Sequence, residues 1–140
     1  DGRKGYHDVL RHPEGRFVPG LTIFRWDAQL FFANSEIFRD RALQAVEKSP
    51  TPSKWLIIAA DAITDIDITA AESLEELHRE LLQQGVELHF AGLKGPVKDR
   101  LAHYGLLTLI GEDRFEATVG SAVNRYRSQY AVDWVDWDEV

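Results

Sequence analysis

The feature that most restricts the fold of this chain is the apolar run WLIIAA at residues 55–60. A strand with one solvent-facing side alternates apolar and polar residues, whereas a strand covered on both faces is apolar along its whole length. Pro50 and Pro52 mark a loop just before the run. The run therefore predicts a central strand of a sheet that carries other structure on both of its faces.

Segments typical of strands and of helices alternate on either side of this run. Strands are predicted at 6–10, 21–26, 86–91 and 106–110, and the apolar run 30–33 also suits a core strand. Helices are predicted after Asn34, Thr69, Gly95 and Thr118, because apolar residues follow each of these positions at helical spacing. Helix and strand alternation favours parallel strands joined by helical crossovers. The predicted fold class is α/β, with a mixed β-sheet and helices packed on it.

Composition narrows the classes of function that the chain can have. Its 140 residues suit one domain, and the net charge of −7 repels nucleic acid, so no nucleic-acid partner is expected. The chain contains no cysteine, which excludes disulfides and thiolate chemistry, and no apolar run approaches the roughly 18 residues of a membrane span. It begins at Asp1 without methionine, so we expect a piece of a longer polypeptide.

The residue patterns of common catalytic centres are missing from the sequence. The five histidines show no local nucleophile–base signature, and neither a phosphate-binding loop nor a dinucleotide fingerprint is present. Asp61, Asp65 and Asp67 could together hold Mg²⁺, although aspartate at such positions more often forms loops and helix caps. We therefore expect a protein that is not an enzyme and requires no cofactor.

Two predicted helix starts carry polar groups that could bind or accept an anion. Thr69 and Glu72 form a capping-box pattern, and Gly85 is the expected stop of that helix. Phosphorylation of Thr69 would change the local charge by about −1.5 to −2, whereas the simpler interpretation is capping alone. Lys94 and Lys98 flank the other start, at Gly95, which makes it a candidate anion site or merely a turn with solvated lysines.

Several of these segments resemble one known family. Residues 18–25 (VPGLTIFR) and 27–34 (DAQLFFAN) resemble the segment that follows the last membrane helix of SulP-type sulfate and anion transporters. Residues 65–70 (DIDITA) resemble the loop before the second helix of STAS domains, and residues 92–99 (GLKGPVKD) are similar to the next strand–helix turn of that family. The similarity extends from about Tyr6 to Tyr130.

The resemblance implies a STAS fold and a regulatory rather than catalytic role. It implies a domain on the cytoplasmic face of the plasma or inner membrane that contacts the membrane domain of the same transporter chain. Residues 1–20 would be a linker and edge strand, and residues 21–130 the STAS domain. Residues 131–140 would be an acidic tail, either solvated or docked through its tryptophans.

The resemblance also implies a ligand and an alternative function. Guanine nucleotide binding is associated with several STAS proteins, so GTP or GDP is a candidate ligand. The candidate contacts are Asp67, Thr69, Ala70, Ala71, Lys94, Gly95 and Lys98. The alternative is a stand-alone phosphorylation switch, similar to the anti-sigma-factor antagonists, which carry a phosphorylatable serine in an Asp-Ser-Ser-Gly loop. Here Thr69 keeps a hydroxyl, but Ala70 replaces the glycine, which favours the transporter interpretation.

Overall fold

The computed structural model describes residues 6–9, 16–130 and 135–136, with side chains for residues 18–130. The strands are β1 (Tyr6–Val9), β2 (Arg16–Phe17), β3 (Leu21–Trp26), β4 (Trp55–Ala59), β5 (Glu87–Ala91), β6 (Phe115–Glu116) and β7 (Val135–Asp136). The helices are α1 (Ser35–Glu47), α2 (Ile68–Gln83), α3 (Gly95–His103), α4 (Leu106–Ile110) and α5 (Val119–Tyr130).

The predicted apolar strand is the middle strand of a five-stranded sheet. The strand order is β1-β3-β4-β5-β6, with β4 at the centre. Strands β3 to β6 are parallel, and β1 pairs with β3 in the antiparallel sense, so the mixed sheet is confirmed. Strands β2 and β7 form a separate antiparallel pair.

Both faces of the sheet are covered, as the apolar run predicts. All five residues of β4 are buried, and successive side chains point to opposite faces. Leu56 and Ile58 belong to the larger core beneath the first four helices. Trp55 and Ile57 belong to a second core, which Tyr126 of α5 helps to close. Helices α1 to α4 on one face of the sheet and α5 on the other are therefore both needed to shield β4 from water.

The expected strand at residues 106–110 is wrong, because this segment is the short helix α4. Leu106 and Ile110 are both buried, whereas Thr108 between them is exposed. In a strand these three side chains would share one face, so the burial pattern suits one side of a helix instead. Gly105 and Gly111 flank the segment with φ angles of 83° and 114°, which glycine adopts without strain. The chain therefore turns sharply on each side of α4, and packing overrides the local β preference.

The interpretation of residues 30–33 as a core strand is also wrong. Leu30 is buried and forms a single parallel bridge with Ile66. The next two side chains leave the core, because Phe31 is 40% exposed and Phe32 is 69% exposed. The run therefore contributes one residue to the core and two aromatic rings to the surface.

The topology defines one edge of the sheet, which we call the carboxyl edge. The carboxyl ends of β3, β4 and β5 lie together there because the three strands are parallel. Helices α1, α2 and α3 follow these strands and begin on the same side. Strand β1 runs in the opposite direction, and Tyr6 pairs with Trp26, so β1 also begins at the carboxyl edge.

The ends of the chain are described only in part. The expected edge strand near residue 6 is confirmed as β1. Of the predicted acidic tail at residues 131–140, only the strand β7 lies within the described residues. Within the described part of the chain, no helix combines the length and the hydropathy needed to cross a bilayer.

Candidate functional site

Asp67 joins two segments at the carboxyl edge through its carboxylate. It is the N-cap of α2, and its Oδ1 accepts a hydrogen bond from the Ala70 amide at 2.9 Å. Its Oδ2 accepts a hydrogen bond from the Phe32 amide, also at 2.9 Å. One side chain therefore caps a helix and fixes the position of the loop between β3 and α1.

The predicted cap at Thr69 is wrong, because the cap is Asp67 and α2 begins at Ile68, one residue before Thr69. Aspartate and threonine are both good N-cap residues, so local preference alone does not distinguish the two positions. Asp67 caps because its extended backbone, with φ −91° and ψ 173°, directs Oδ1 to the Ala70 amide. Thr69 lies in the first turn of α2 and is exposed, which leaves its hydroxyl on the surface.

The other two predicted contacts on α2 point into the protein. Ala70 and Ala71 are buried and belong to the larger core. Their side chains are therefore not available to a ligand, although their backbone remains in the first turn of the helix. Of the α2 set, the structure leaves a carboxylate at Asp67 and a hydroxyl at Thr69 on or near the surface.

The second predicted set lies at the start of α3, on the same edge of the sheet. Lys94 is the N-cap residue of α3, and its Nζ donates a hydrogen bond to the Asp61 carbonyl at 2.7 Å. Gly95 is exposed and Lys98 is half-buried. The Lys94 ammonium is therefore engaged with the loop between β4 and α2, while its charge remains at the surface.

An ion pair and a tight glycine contact also join the same two segments. The Arg100 Nε lies 3.4 Å from the Asp65 Oδ1, although both side chains are largely exposed. Gly92 has a φ of +80°, and a Cβ placed on it would lie 1.5 Å from the Asp61 Oδ1. Close approach of Asp61 therefore requires glycine at position 92.

Asp61, Asp65 and Asp67 act separately rather than as a group. The Asp65 carboxylate pairs with Arg100, and the Asp67 carboxylate accepts hydrogen bonds from the Ala70 and Phe32 amides. At Asp61 it is the backbone carbonyl that accepts a hydrogen bond, from Lys94. Among the residues whose side chains are described, no three histidine or acidic residues lie close enough to hold a metal ion. The bond to the Ala70 amide matches the cap role considered for Asp67.

The loop between β3 and α1 is ordered by side chains that bond its backbone. The Asn34 Oδ1 accepts a hydrogen bond from the Phe31 amide at 3.0 Å, and its Nδ2 donates to the Gln29 carbonyl at 2.7 Å. The Trp26 Nε1 donates to the same carbonyl at 3.1 Å. The Gln29 amide is in turn hydrogen-bonded to the Thr64 hydroxyl. Side chains at both ends of the loop, Trp26 and Asn34, therefore fix its backbone.

This loop presents an apolar surface that sequence reasoning missed. The rings of Phe31 and Phe32 meet edge to face, with centroids 5.7 Å apart. Ile68, which follows the Asp67 cap, is 53% exposed. We call Phe31, Phe32 and Ile68 the phenylalanine corner. The available signal was the Asn34 cap, which ends the apolar run and makes a strand through Phe32 improbable.

A pocket of about 350 Å³ opens beside the phenylalanine corner. It is lined by Gln29, Leu30, Phe31, Asp65, Ile66 and Asp67. Most of the exposed lining is apolar, and the two carboxylates add negative charge. The pocket therefore suits an apolar side chain that is accompanied by a positive group.

The buried histidines lie away from this pocket and serve the core. His89 of β5 is 1% exposed and stacks on Trp55 with ring centroids 3.6 Å apart. Burial, with the positive charges of Arg114 and Arg125, lowers the pKa of His89 to about 3. Burial likewise lowers the pKa of His78 on α2. Both rings are therefore neutral at pH 7.

The fold defines a class of protein. A mixed sheet with helices on both faces is shared with the solved STAS domain of a SulP transporter from Vibrio cholerae, at a TM-score of 0.59 and 19% identity over 75% of this chain and 84% of that chain. Residues 12–122 match the family model described as STAS domain. The chain belongs to the STAS family.

Curated relatives that match this chain include sulfate transporters. A probable sulfate transporter of Mycobacterium tuberculosis is 38% identical over 126 residues, which cover 90% of this chain and 22% of that protein. High affinity sulfate transporter 2 of Stylosanthes hamata is 31% identical over 133 residues, covering 89% and 20%. The chain thus spans about a fifth of the length of these relatives and is homologous to their STAS regions.

Solved structures of two kinds share the fold. An inward-facing murine anion transporter of the solute carrier 26 family has a TM-score of 0.75 at 20% identity, over 87% of this chain and 21% of that chain. A sulfate transporter family protein from Wolinella succinogenes has a TM-score of 0.68 at 21% identity, covering 84% and 94%. The phosphorylated Bacillus cell fate determinant SpoIIAA has a TM-score of 0.59 at 14% identity, covering 87% and 99%.

Proposed function

We propose that this chain is the cytoplasmic regulatory domain of a SulP-type sulfate or anion transporter, and that it acts by contact with the membrane domain of the same polypeptide. The sequence identity to sulfate transporters supports the proposal that this domain is part of a transporter polypeptide. The observation that carries the contact mechanism is the pair of hydrogen bonds accepted by the Asp67 carboxylate. They connect the start of α2 to the loop that exposes Phe31 and Phe32.

This geometry suits a contact that changes between two states of a transporter. A regulatory domain can shift such an equilibrium only by the difference between its affinities for the two states. Because Asp67 accepts hydrogen bonds from both α2 and the neighbouring loop, a displacement of either segment would also displace the other. The surface at the carboxyl edge would therefore respond as one unit.

Transport by the full-length protein tests the proposal. We expect deletion of residues 21–130, or Asp67→Ala, to change the rate of sulfate uptake into proteoliposomes at equal amounts of reconstituted transporter. Asp40→Ala is the matched control, since Asp40 is an exposed carboxylate on α1. The regulatory role is wrong if the deletion leaves uptake and its response to substrate concentration unchanged.

We also propose GTP or GDP as a ligand, with the start of α3 favoured over the start of α2. The free amides and dipole of a helix start attract phosphate, and Lys94 and Lys98 add positive charge at α3. At α2, the Asp67 carboxylate already bonds the Ala70 amide and repels an anion. Nucleotide should therefore shift the backbone amide signals of residues 94–98 more than those of 68–72.

A titration to millimolar GTP and GDP, followed by NMR, measures these shifts. Lys98→Gln should weaken the response, whereas Lys48→Gln at the end of α1 should not. If no amide signal moves, the nucleotide is not a ligand of this domain.

The second candidate function is a phosphorylation switch of the anti-sigma-factor-antagonist kind. The observation that favours it is the exposed Thr69 hydroxyl in the first turn of α2. A phosphate there would be attracted by the helix start and repelled by the Asp67 carboxylate. Mass spectrometry of the protein isolated from its own cells tests this candidate. Failure to find phosphate on Thr69 under any growth condition would leave only the first function.

A further inference from the structure

We propose that the phenylalanine corner is the receptor for a basic segment of the transporter's membrane domain, with an apolar side chain of that segment seated in the adjacent pocket. This inference rests on the proposed function and deepens it, because it names the surface and the chemistry of the partner. Four observations on the described residues carry it: exposure, order, charge and the position of β1.

The first observation is the exposure of three large apolar side chains at one place. Phe31, Phe32 and Ile68 are each at least 40% exposed, and Asp67 holds the two segments that carry them side by side. Adjacent exposed apolar groups of this size favour a protein partner, since water solvates them poorly. Aromatic side chains are also enriched at the centres of protein interfaces.

The second observation is that the backbone carrying the exposed rings is fixed by hydrogen bonds. Asn34 and Asp67 bond the amides of Phe31 and Phe32, and Trp26 and Asn34 both donate to the Gln29 carbonyl. A surface that is already ordered loses less conformational entropy when it binds. The hydrogen bonds thus order the loop while its two rings stay exposed, so binding a partner would cost little further ordering of the corner.

The third observation is the charge around the corner. The two segments that build it, residues 27–36 and 61–72, contain six acidic residues and no lysine or arginine. Asp27 and Asp65 lie beside Arg25 and Arg100, whereas Glu36 and Glu72 are exposed near the corner. Cytoplasmic loops of membrane proteins carry an excess of lysine and arginine, so their charge complements this surface.

The fourth observation is where the polypeptide reaches the sheet. Strand β1 begins at Tyr6 beside Trp26, on the carboxyl edge that also carries the corner. In the proposed transporter the membrane domain precedes this chain, so its cytoplasmic side would lie near that edge. The same edge would then carry both the covalent connection and the docking surface. An anionic lipid surface is disfavoured as the partner, because the acidic segments would repel it.

Site-specific photo-crosslinking in the full-length transporter tests the inference. Phe32 is replaced by the photoreactive residue p-benzoylphenylalanine, and Leu82 is replaced in a matched control. Leu82 is also an exposed apolar residue of the domain, but it lies about 21 Å along α2 from Ile68 at 1.5 Å per residue. We expect at least fivefold more crosslinking to the membrane domain from position 32 than from position 82.

Mass spectrometry then identifies what was captured. The inference requires a membrane-domain peptide that contains lysine or arginine beside an apolar residue, and the yield from position 32 should fall at least threefold with Glu36→Gln and Glu72→Gln together. Capture of lipid, or equal yields from the two positions, overturns the inference. If position 32 captures nothing while deletion of residues 21–130 still alters uptake, the docking surface is wrong but the regulatory function stands.

Discussion

The buried His89 should make the domain lose stability in mild acid. Burial and two nearby arginines lower its pKa in the folded protein to about 3, whereas an unfolded histidine titrates near 6.5. As the pH falls below about 6.5, His89 becomes protonated in the unfolded chain but stays neutral in the folded chain. Stability is therefore lost progressively between about pH 6.5 and pH 3, and is fully present above that window.

The size of the effect follows from the same two pKa values. At pH 4.5 the unfolded histidine is almost fully protonated and the folded one is almost fully neutral. Because pH 4.5 lies two units below the unfolded pKa of 6.5, and each unit is worth about 1.4 kcal/mol, the free energy of unfolding falls by about 2.7 kcal/mol. His89→Phe removes this contribution while preserving an aromatic ring for the contact with Trp55, whose ring centroid lies 3.6 Å from that of His89.

Urea unfolding at pH 7.0 and pH 4.5, followed by tryptophan fluorescence, measures the difference. The wild-type protein should lose about 2.7 kcal/mol more than His89→Phe between the two pH values. His78, also buried, remains in both proteins and contributes equally. His103→Phe, at an exposed position on α3, should retain the wild-type loss. Equal losses in wild type and His89→Phe would refute the assignment of the acid sensitivity to His89.

Three further outcomes are expected from the carboxyl edge. Asp67→Ala should lower the free energy of unfolding by about 1–2 kcal/mol in urea titrations, because it removes the α2 cap and leaves the Phe32 amide without its acceptor. Phe32→Ala should change that free energy by less than about 0.5 kcal/mol, since the ring is 69% exposed; a larger loss would mean that the ring stabilises the fold. Gly92→Ala should cost more than Gly85→Ala in thermal unfolding. Both residues have positive φ, but a Cβ at position 92 would also meet Asp61, while at position 85 it meets nothing within 4 Å.

Local signals were sufficient to predict most helix boundaries and the central strand. Pro96 at the beginning of α3 and Thr118 before α5 act within one turn of the chain, and the Ser121 amide does donate to the Thr118 hydroxyl at 3.0 Å. Gly85, with its φ of +77°, follows α2 where predicted. Such signals depend only on neighbouring residues, so they are visible in the sequence.

The candidate site was less predictable because its contacts join distant residues. The choice of Asp67 over Thr69 as the cap depends on the backbone of the loop after β4. The exposure of Phe32 depends on a bond to a carboxylate 35 residues away. Neither contact can be predicted from the residues next to it in the sequence. An apolar residue such as Phe32 is therefore assigned to the core by default.

The sequence by itself determined a parallel arrangement around a doubly covered strand, since an apolar run such as residues 55–60 has no stable place on a surface. It also determined that acidic residues crowd the segments before α1 and α2. Only the tertiary structure decided that these segments meet, that Asp67 joins them, and that Phe31 and Phe32 face outward. The physical reason is that hydrogen bonding across a sheet edge depends on strand order and direction, which no single segment encodes.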